Sequence, residues 1–187
     1  MRFFVLNLFI FIFFIGCTSN NITTPTKVVT TTNNELMLKA INEVRQKGSA
    51  CGGPAKPLTW NTSLENAARA HAQDMAMQGK ISHLGSGTQY DIVGIKNGKP
   101  STFIDRLKEY GFPYKVGNLV GETVARVSIK KSKDKSVASN FKKAIDKWLN
   151  DPPHCKIIMN PRFTDVGVGY YKKDDYYYFV VNLGENR

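Results

Sequence analysis

Trp148–Tyr170 reads WLNDPPHCKIIMNPRFTDVGVGY, and the reading of the whole chain turns on it. Upstream, Val137, Phe141, Ile145 and Trp148 fall at i, i+4, i+8 and i+11, one face of a 3.6-residue period, so an amphipathic helix runs into the stretch. Pro152 and Pro153 stop that helix, because proline lacks the N–H and clashes with the preceding turn. Asn160-Pro161 then turns the chain into Thr164–Tyr170, whose alternation predicts a strand. Asp151 and His154 fall at the helix end, where side chains can face a cleft.

The same residues carry a resemblance. The segment is similar to the signature of the CAP superfamily, the cysteine-rich secretory, antigen 5 and pathogenesis-related proteins with their bacterial SCP-like relatives. The bacterial pattern W-x-x-S-P-G-H-x-x-N-I-x-N-P-x-F-T-E-x-G-V-G-Y is matched by Trp148, Pro152, His154, Asn160, Pro161, Phe163, Thr164, Gly167, Val168, Gly169 and Tyr170. It extends over about Leu36–Glu185 and implies an α+β fold: a three-layer α-β-α sandwich with about four helices and a three-stranded antiparallel sheet.

The chain has 187 residues and a formal net charge of +11. Arg2 is followed by a nearly continuous apolar run, Phe3–Ile15, too short and too N-terminal for a permanent span, so residues 1–16 read as an export signal. Gly16-Cys17 resembles a lipobox with Phe14 where Leu is usual, which implies diacylation of Cys17; an ordinary secretory signal is the alternative. Residues 17–34, rich in Thr and Asn, read as a solvated tether, and residues 35–187 as one domain with room for a core. The expected location is a bacterial cell envelope, lipid-anchored and surface-exposed, in the outer membrane of a cell that has two. Asn21 and Asn61 match glycosylation acceptors, as chance matches in such a protein.

Much of the excess charge falls between Ile129 and Lys147, with Lys130, Lys131, Lys133, Lys135, Lys142, Lys143 and Lys147 against Asp134 and Asp146. This reads as a solvated loop and outer helix face, with anionic lipid headgroups or glycosaminoglycans as the alternative partners. No nucleic-acid motif accompanies the charge, so nucleic acid is not an expected partner. A monomer is expected.

Along the chain, Glu35–Gln46 is a helix capped by Asn33 or Asn34 with Met37, Ile41 and Val44 as its stripe. Thr62-Ser63-Leu64-Glu65 reads as a capping box opening a second helix, which ends at Gly79. His71 shares its inner face with Leu64, Ala68 and Met75 and reads as a packed core histidine. Ser101 or Thr102 caps a third helix, with Ile104 and Leu107 inward and Gly111 ending it. Thr164–Lys172 and Tyr176–Leu183 form a hairpin around Lys173-Asp174-Asp175.

Ser82-His83-Leu84-Gly85 corresponds to the S-H-x-G of bacterial members, and Gly121-Glu122-Thr123-Val124-Ala125 to G-E-N-[IL]-A with Thr123 for Asn. The resemblance thus implies a cleft of His83, His154, Glu122 and Asp151, where Asp151 stands in place of a Glu or Ser and Pro153 in place of a Gly. A carboxylate among Leu119, Val120, Val124 and Val127 must be paired; for Glu122 a cleft histidine, a metal or a structural donor all qualify. Two imidazoles beside a carboxylate suit Zn²⁺ or another divalent metal. A subset of bacterial members has a Cys-Gly pair before the second helix and a His-Cys pair at the motif. Cys51-Gly52 and His154-Cys155 match both, implying a Cys51–Cys155 bridge over about 100 residues, worth up to about 4–5 kcal/mol. Three functions follow: a binding module displayed at the surface, a metal-dependent hydrolase with Glu122 as general base, or a lipid or sterol binder. No serine or cysteine nucleophile arrangement and no H-E-x-x-H pair supports catalysis.

Overall fold

The computed structural model describes residues 31–185; the export signal at 1–16, Cys17 and the tether as far as residue 30 lie outside the described residues. In chain order come α1 (Asn33–Lys47), β1 (Thr59–Trp60), α2 (Thr62–Gln78), α3 (Ile92–Asn97), α4 (Phe103–Glu109), β2 (Val120–Ser128), α5 (Val137–Leu149), α6 (Pro152–Ile158), β3 (Asp165–Lys173) and β4 (Tyr176–Gly184). The described residues contain three core clusters, a four-stranded sheet and a Cys51–Cys155 disulfide, and so hold what a domain needs to fold by itself.

The fold is α+β, but the sheet is mixed and four-stranded, in the order β1-β3-β4-β2, rather than three-stranded and antiparallel. The added strand is two residues long: Thr59 and Trp60 pair in parallel with Asp165 and Val166, too short for an alternation to show. Among the described residues six helices stand where about four were expected. One of the extra two, α6, begins at Pro152-Pro153: the prolines that close α5 also open the next helix, because N1 and N2 need no intrahelical N–H.

The caps also shift. Thr32, not Asn33 or Asn34, caps α1, in a reciprocal box with Glu35, so the domain begins inside the expected tether. Asn61, not Thr62, caps α2, its Oδ1 accepting from the N–H groups of Ser63 and Leu64. Glu65 is thereby released to accept from Trp60 Nε1 at 2.8 Å and Asn34 Nδ2 at 3.1 Å, tying α1 and β1 to α2. Thr102 caps α4 as anticipated, and the β3–β4 hairpin turns at Asp174, which adopts φ 51°.

Strand parity separates two layers of helices. Val166 and Val168 of β3, Phe179, Val181 and Leu183 of β4, and Ala125 and Val127 of β2 share one core with Met37 and Ile41 of α1, Phe141, Ile145 and Trp148 of α5, and Ile158 of α6. On the other face Val124, Tyr178 and Val180 meet Ala68, Ala72, Met75 and Ala76 of α2. Here α2 lies so close to β3 that a Cβ on Gly167 would stand 2.0 Å from the Glu65 nitrogen, and one on Gly169 2.1 Å from that of Arg69. The glycines of the VGVG run are there to admit a helix backbone.

The outer edge of β2 is covered by α5. Trp148 Nε1 donates to the Val124 carbonyl at 2.9 Å and Lys147 Nζ to the Arg126 carbonyl at 3.0 Å. The fully buried Arg45 of α1 donates to the carbonyls of Lys56, Ile158 and Asn160, fastening the end of α6 and the turn after it. The disulfide joins α6 to the loop after α1 as well.

Gly167→Ala is expected to destabilise residues 31–187 by about 2–3 kcal/mol, because the added methyl meets backbone and not a movable side chain. Urea unfolding checks it, and a loss below about 0.5 kcal/mol would contradict the close approach.

Candidate functional site

The site is assembled at the outer edge of the sheet. Glu122 is the third residue of β2 and points to the α2 side, where the residue is 4 % exposed. His83 lies in the connection that leaves α2, on the same side. His154 belongs to α6, in the opposite layer. Because β2 is an edge strand, residues from the two layers meet across it: the rings of His83 and His154 are 6.1 Å apart and inclined by 35°.

Each imidazole is held from behind by a carboxylate. His83 Nδ1 donates to Glu122 Oε1 at 2.9 Å, and His154 Nδ1 donates to Asp151 Oδ2 at 2.8 Å. A carboxylate only accepts, so both rings carry a hydrogen on Nδ1, which in the neutral imidazole leaves Nε2 as the acceptor. Asp151 is free to do this for a local reason. It occupies the N-cap position of α6 but makes no capping bond, and Pro153 at N2 offers no N–H. The structure therefore brings His83, Glu122, His154 and Asp151 together, with the acids behind the imidazoles and not beside them as converging ligands. Among the described residues no group of three or more His, Cys, Asp or Glu side chains is arranged to hold a metal.

Arg106, which the sequence reading passed over, completes the network. Its Nη2 donates to Glu122 Oε2 at 2.9 Å and to the His83 carbonyl at 3.0 Å, and its Nη1 to the carbonyl and hydroxyl of Ser101. Both partners of the Arg106–Glu122 pair have side chains only 2 % exposed. The available signal was a charged residue one position before the buried Leu107 of α4. Burial works against the charge of Glu122, but the His83 hydrogen bond and the Arg106 guanidinium outweigh it and hold the carboxyl below its usual range. His71 is the packed core histidine anticipated. It is 1 % exposed, donates from Nε2 to the Ser82 carbonyl at 2.7 Å, and is kept neutral by burial and then by Arg106.

The loop carrying His83 is fastened by two further acids absent from the sequence reading. Asp74 accepts from the Ser86 N–H at 2.9 Å. Asp91 accepts from the N–H groups of Gly87, Gly94 and Ser101. A Cβ on Gly85 would stand 2.1 Å from Asp91 Oδ2, so the loop can close over this acid only with glycine there.

The model of the cysteine-rich secretory protein family, CAP, matches residues 38–183. The YkwD protein of Bacillus subtilis is 30 % identical over 150 residues, which are 80 % of this chain and 47 % of that protein; the chain thus spans about half the length of this relative. An extracellular protein containing an SCP domain from Bacillus anthracis superposes with TM-score 0.59 at 23 % identity, covering 82 % of this chain and 40 % of that one. An outer surface protein of Borrelia burgdorferi does so with TM-score 0.56 at 20 % identity, over 82 % of this chain and 92 % of that one. The two structures share the fold.

Glu122→Gln is expected to lower the unfolding free energy by about 3 kcal/mol, since it leaves Arg106 buried without a counter-charge. The depressed carboxyl contributes stability that is complete above the ordinary Glu value of about 4.3 and is lost as pH falls through its folded value. The thermal midpoint of the parent should therefore drop more steeply between about pH 5 and pH 3 than that of Glu122→Gln. Parallel acid profiles would contradict the assignment.

Proposed function

The chain belongs to the cysteine-rich secretory protein family, and from that membership we propose that it is an exported binding module, displayed at the surface through Cys17, that captures its ligand at the His83–His154 pair. The observation that carries the reading is the pair itself: two imidazoles from opposite layers, 6.1 Å apart, each oriented by its own carboxylate. A Cys51–Cys155 disulfide suits an oxidising compartment. Among the described residues no helix is long and apolar enough to cross a membrane. Two of the proteins that share the fold, one extracellular and one an outer surface protein, support export.

A divalent metal fits the donor set. The Nε2 atoms of His83 and His154 would be its protein ligands, with Glu122 and Asp151 setting the tautomers and raising the basicity of the rings. When bound, the ion supplies a Lewis acid whose remaining positions are open to water or to an acidic group of a partner. Two neutral imidazoles suit Zn²⁺ better than Mg²⁺ or Ca²⁺.

The hydrolase alternative needs Glu122 as a general base. That role conflicts with its surroundings, because one oxygen is engaged by His83 and the other by Arg106, and the carboxyl is held below its usual range. A base must be free to take a proton from water. The binding reading makes no such demand.

Isothermal titration of residues 31–187 with Zn²⁺ at pH 7.5 is expected to show one site, abolished by either His83→Ala or His154→Ala. Unchanged binding in both variants, or none in the parent, would overturn the metal reading. Hydrolysis of an ester or peptide panel, lost in His83→Ala, would favour the enzyme instead.

A further inference from the structure

We propose that the end of the sandwich formed by the β3–β4 turn and the β2–α5 connection is a docking surface for an anionic phospholipid bilayer. Lys172 and Lys173 precede the turn, and Lys130, Lys131, Lys133 and Lys135 lie in the connection. Folding brings the two segments together. The Ile129 N–H donates to the Asp175 carbonyl at 2.8 Å and the Tyr177 hydroxyl to the Lys135 carbonyl at 3.2 Å, while Lys173 and Ser128 both pair with Tyr176. Arg126 donates to the Gly79 carbonyl at 3.0 Å, which adds Lys80 from the end of α2. One end of the molecule thus collects basic residues from three separate stretches of chain.

These charges are available to an outside partner. Lys130, Lys131, Lys133, Lys135 and Lys172 are exposed. Among the described residues none of the seven lysines lies within 4.0 Å of a carboxylate; the lysine ion pairs, Lys39–Glu43 and Lys96–Glu109, are elsewhere. The same end carries three exposed acids, Asp134 in the connection and Asp174 and Asp175 in the turn, which Lys80, Arg126 and the six lysines of the two segments outnumber.

Two features favour a bilayer over a polyanionic chain. The cations sit on turns and loop ends and not along a groove that a strand could follow. Beside them stand groups suited to a headgroup layer: Tyr176 beneath the Arg126 guanidinium at 4.8 Å, and Ile81, 53 % exposed, next to Lys80. The first turn of α1 also lies here, Leu36 lining a groove with Asp134 and Ser136; this contact bears on a membrane only through the anchor proposed at Cys17. Glu122 lies six residues along β2 from Ser128, about 20 Å at the rise of an antiparallel strand. A bilayer at the basic end would leave the histidine pair facing outward.

Cosedimentation of residues 31–187, which lack the apolar leader and Cys17, with phosphatidylglycerol-containing vesicles tests the proposal without the anchor and without the histidine site. Binding is expected in low salt, with none to pure phosphatidylcholine, and it should disappear in about 0.5 M NaCl. The triple variant Lys130→Glu, Lys131→Glu, Lys133→Glu should bind at least about a hundredfold more weakly, at about fivefold for each lysine removed from the surface. Lys56→Glu, Lys99→Glu, Lys115→Glu changes the net charge equally at other sites and should bind within about threefold of the parent. Far-UV circular dichroism and the thermal midpoint check that both fold. Equal loss in the two triple variants would overturn the proposal in favour of unlocalised net charge. Absent vesicle binding would also overturn it, and with retention on heparin would assign the surface to a polysaccharide.

Discussion

A carboxylate placed on a strand between two packed layers must be answered by donors, and the arrangement around Glu122 is that answer. Arg106 reaches it from α4 and His83 from the loop after α2, so one buried charge ties together two segments with no sequence proximity to it. The cost of leaving either partner unmatched keeps the loop in register. His83 is therefore positioned by the same interaction that makes the burial of Glu122 tolerable.

His154 is positioned by independent means. Pro153 at N2 removes one of the two N–H groups that an N-cap side chain takes, and the Asp151 carboxylate turns to the imidazole instead. Arg45 and the disulfide hold α6 from its far side. The two rings thus approach each other as the ends of two separately braced segments. Such preorganisation lets a ligand bind without ordering the site at the moment of capture.

Much of this was legible in the residues. The apolar stripe of α5, the alternation of β3 and β4, and the glycine after α2 each announce a local structure with a physical reason. The motif resemblance supplied the pairing of His83 with His154 and of Cys51 with Cys155. What escaped has equally definite causes. A parallel strand of two residues, Thr59–Trp60, is too short to show a period. Pro152-Pro153 says where a helix ends and equally where one begins, and only the backbone decides between them. Glu65 fits a capping box, yet Trp60 and Asn34 compete for its oxygens. Arg106 shows in the sequence only as a charge beside the inward Leu107, because the partners of its guanidinium, His83 and Glu122, lie on other segments.

The covered edge of β2 has a consequence for how copies of this chain can meet. Side chains from α5 already occupy the outward carbonyls of Val124 and Arg126, and these are the groups a visiting strand would have to engage. Crowded molecules are thereby discouraged from zipping laterally into a shared sheet at this border. Contacts made there must be made by side chains, whose identity can discriminate one neighbour from another in a way that open main chain cannot.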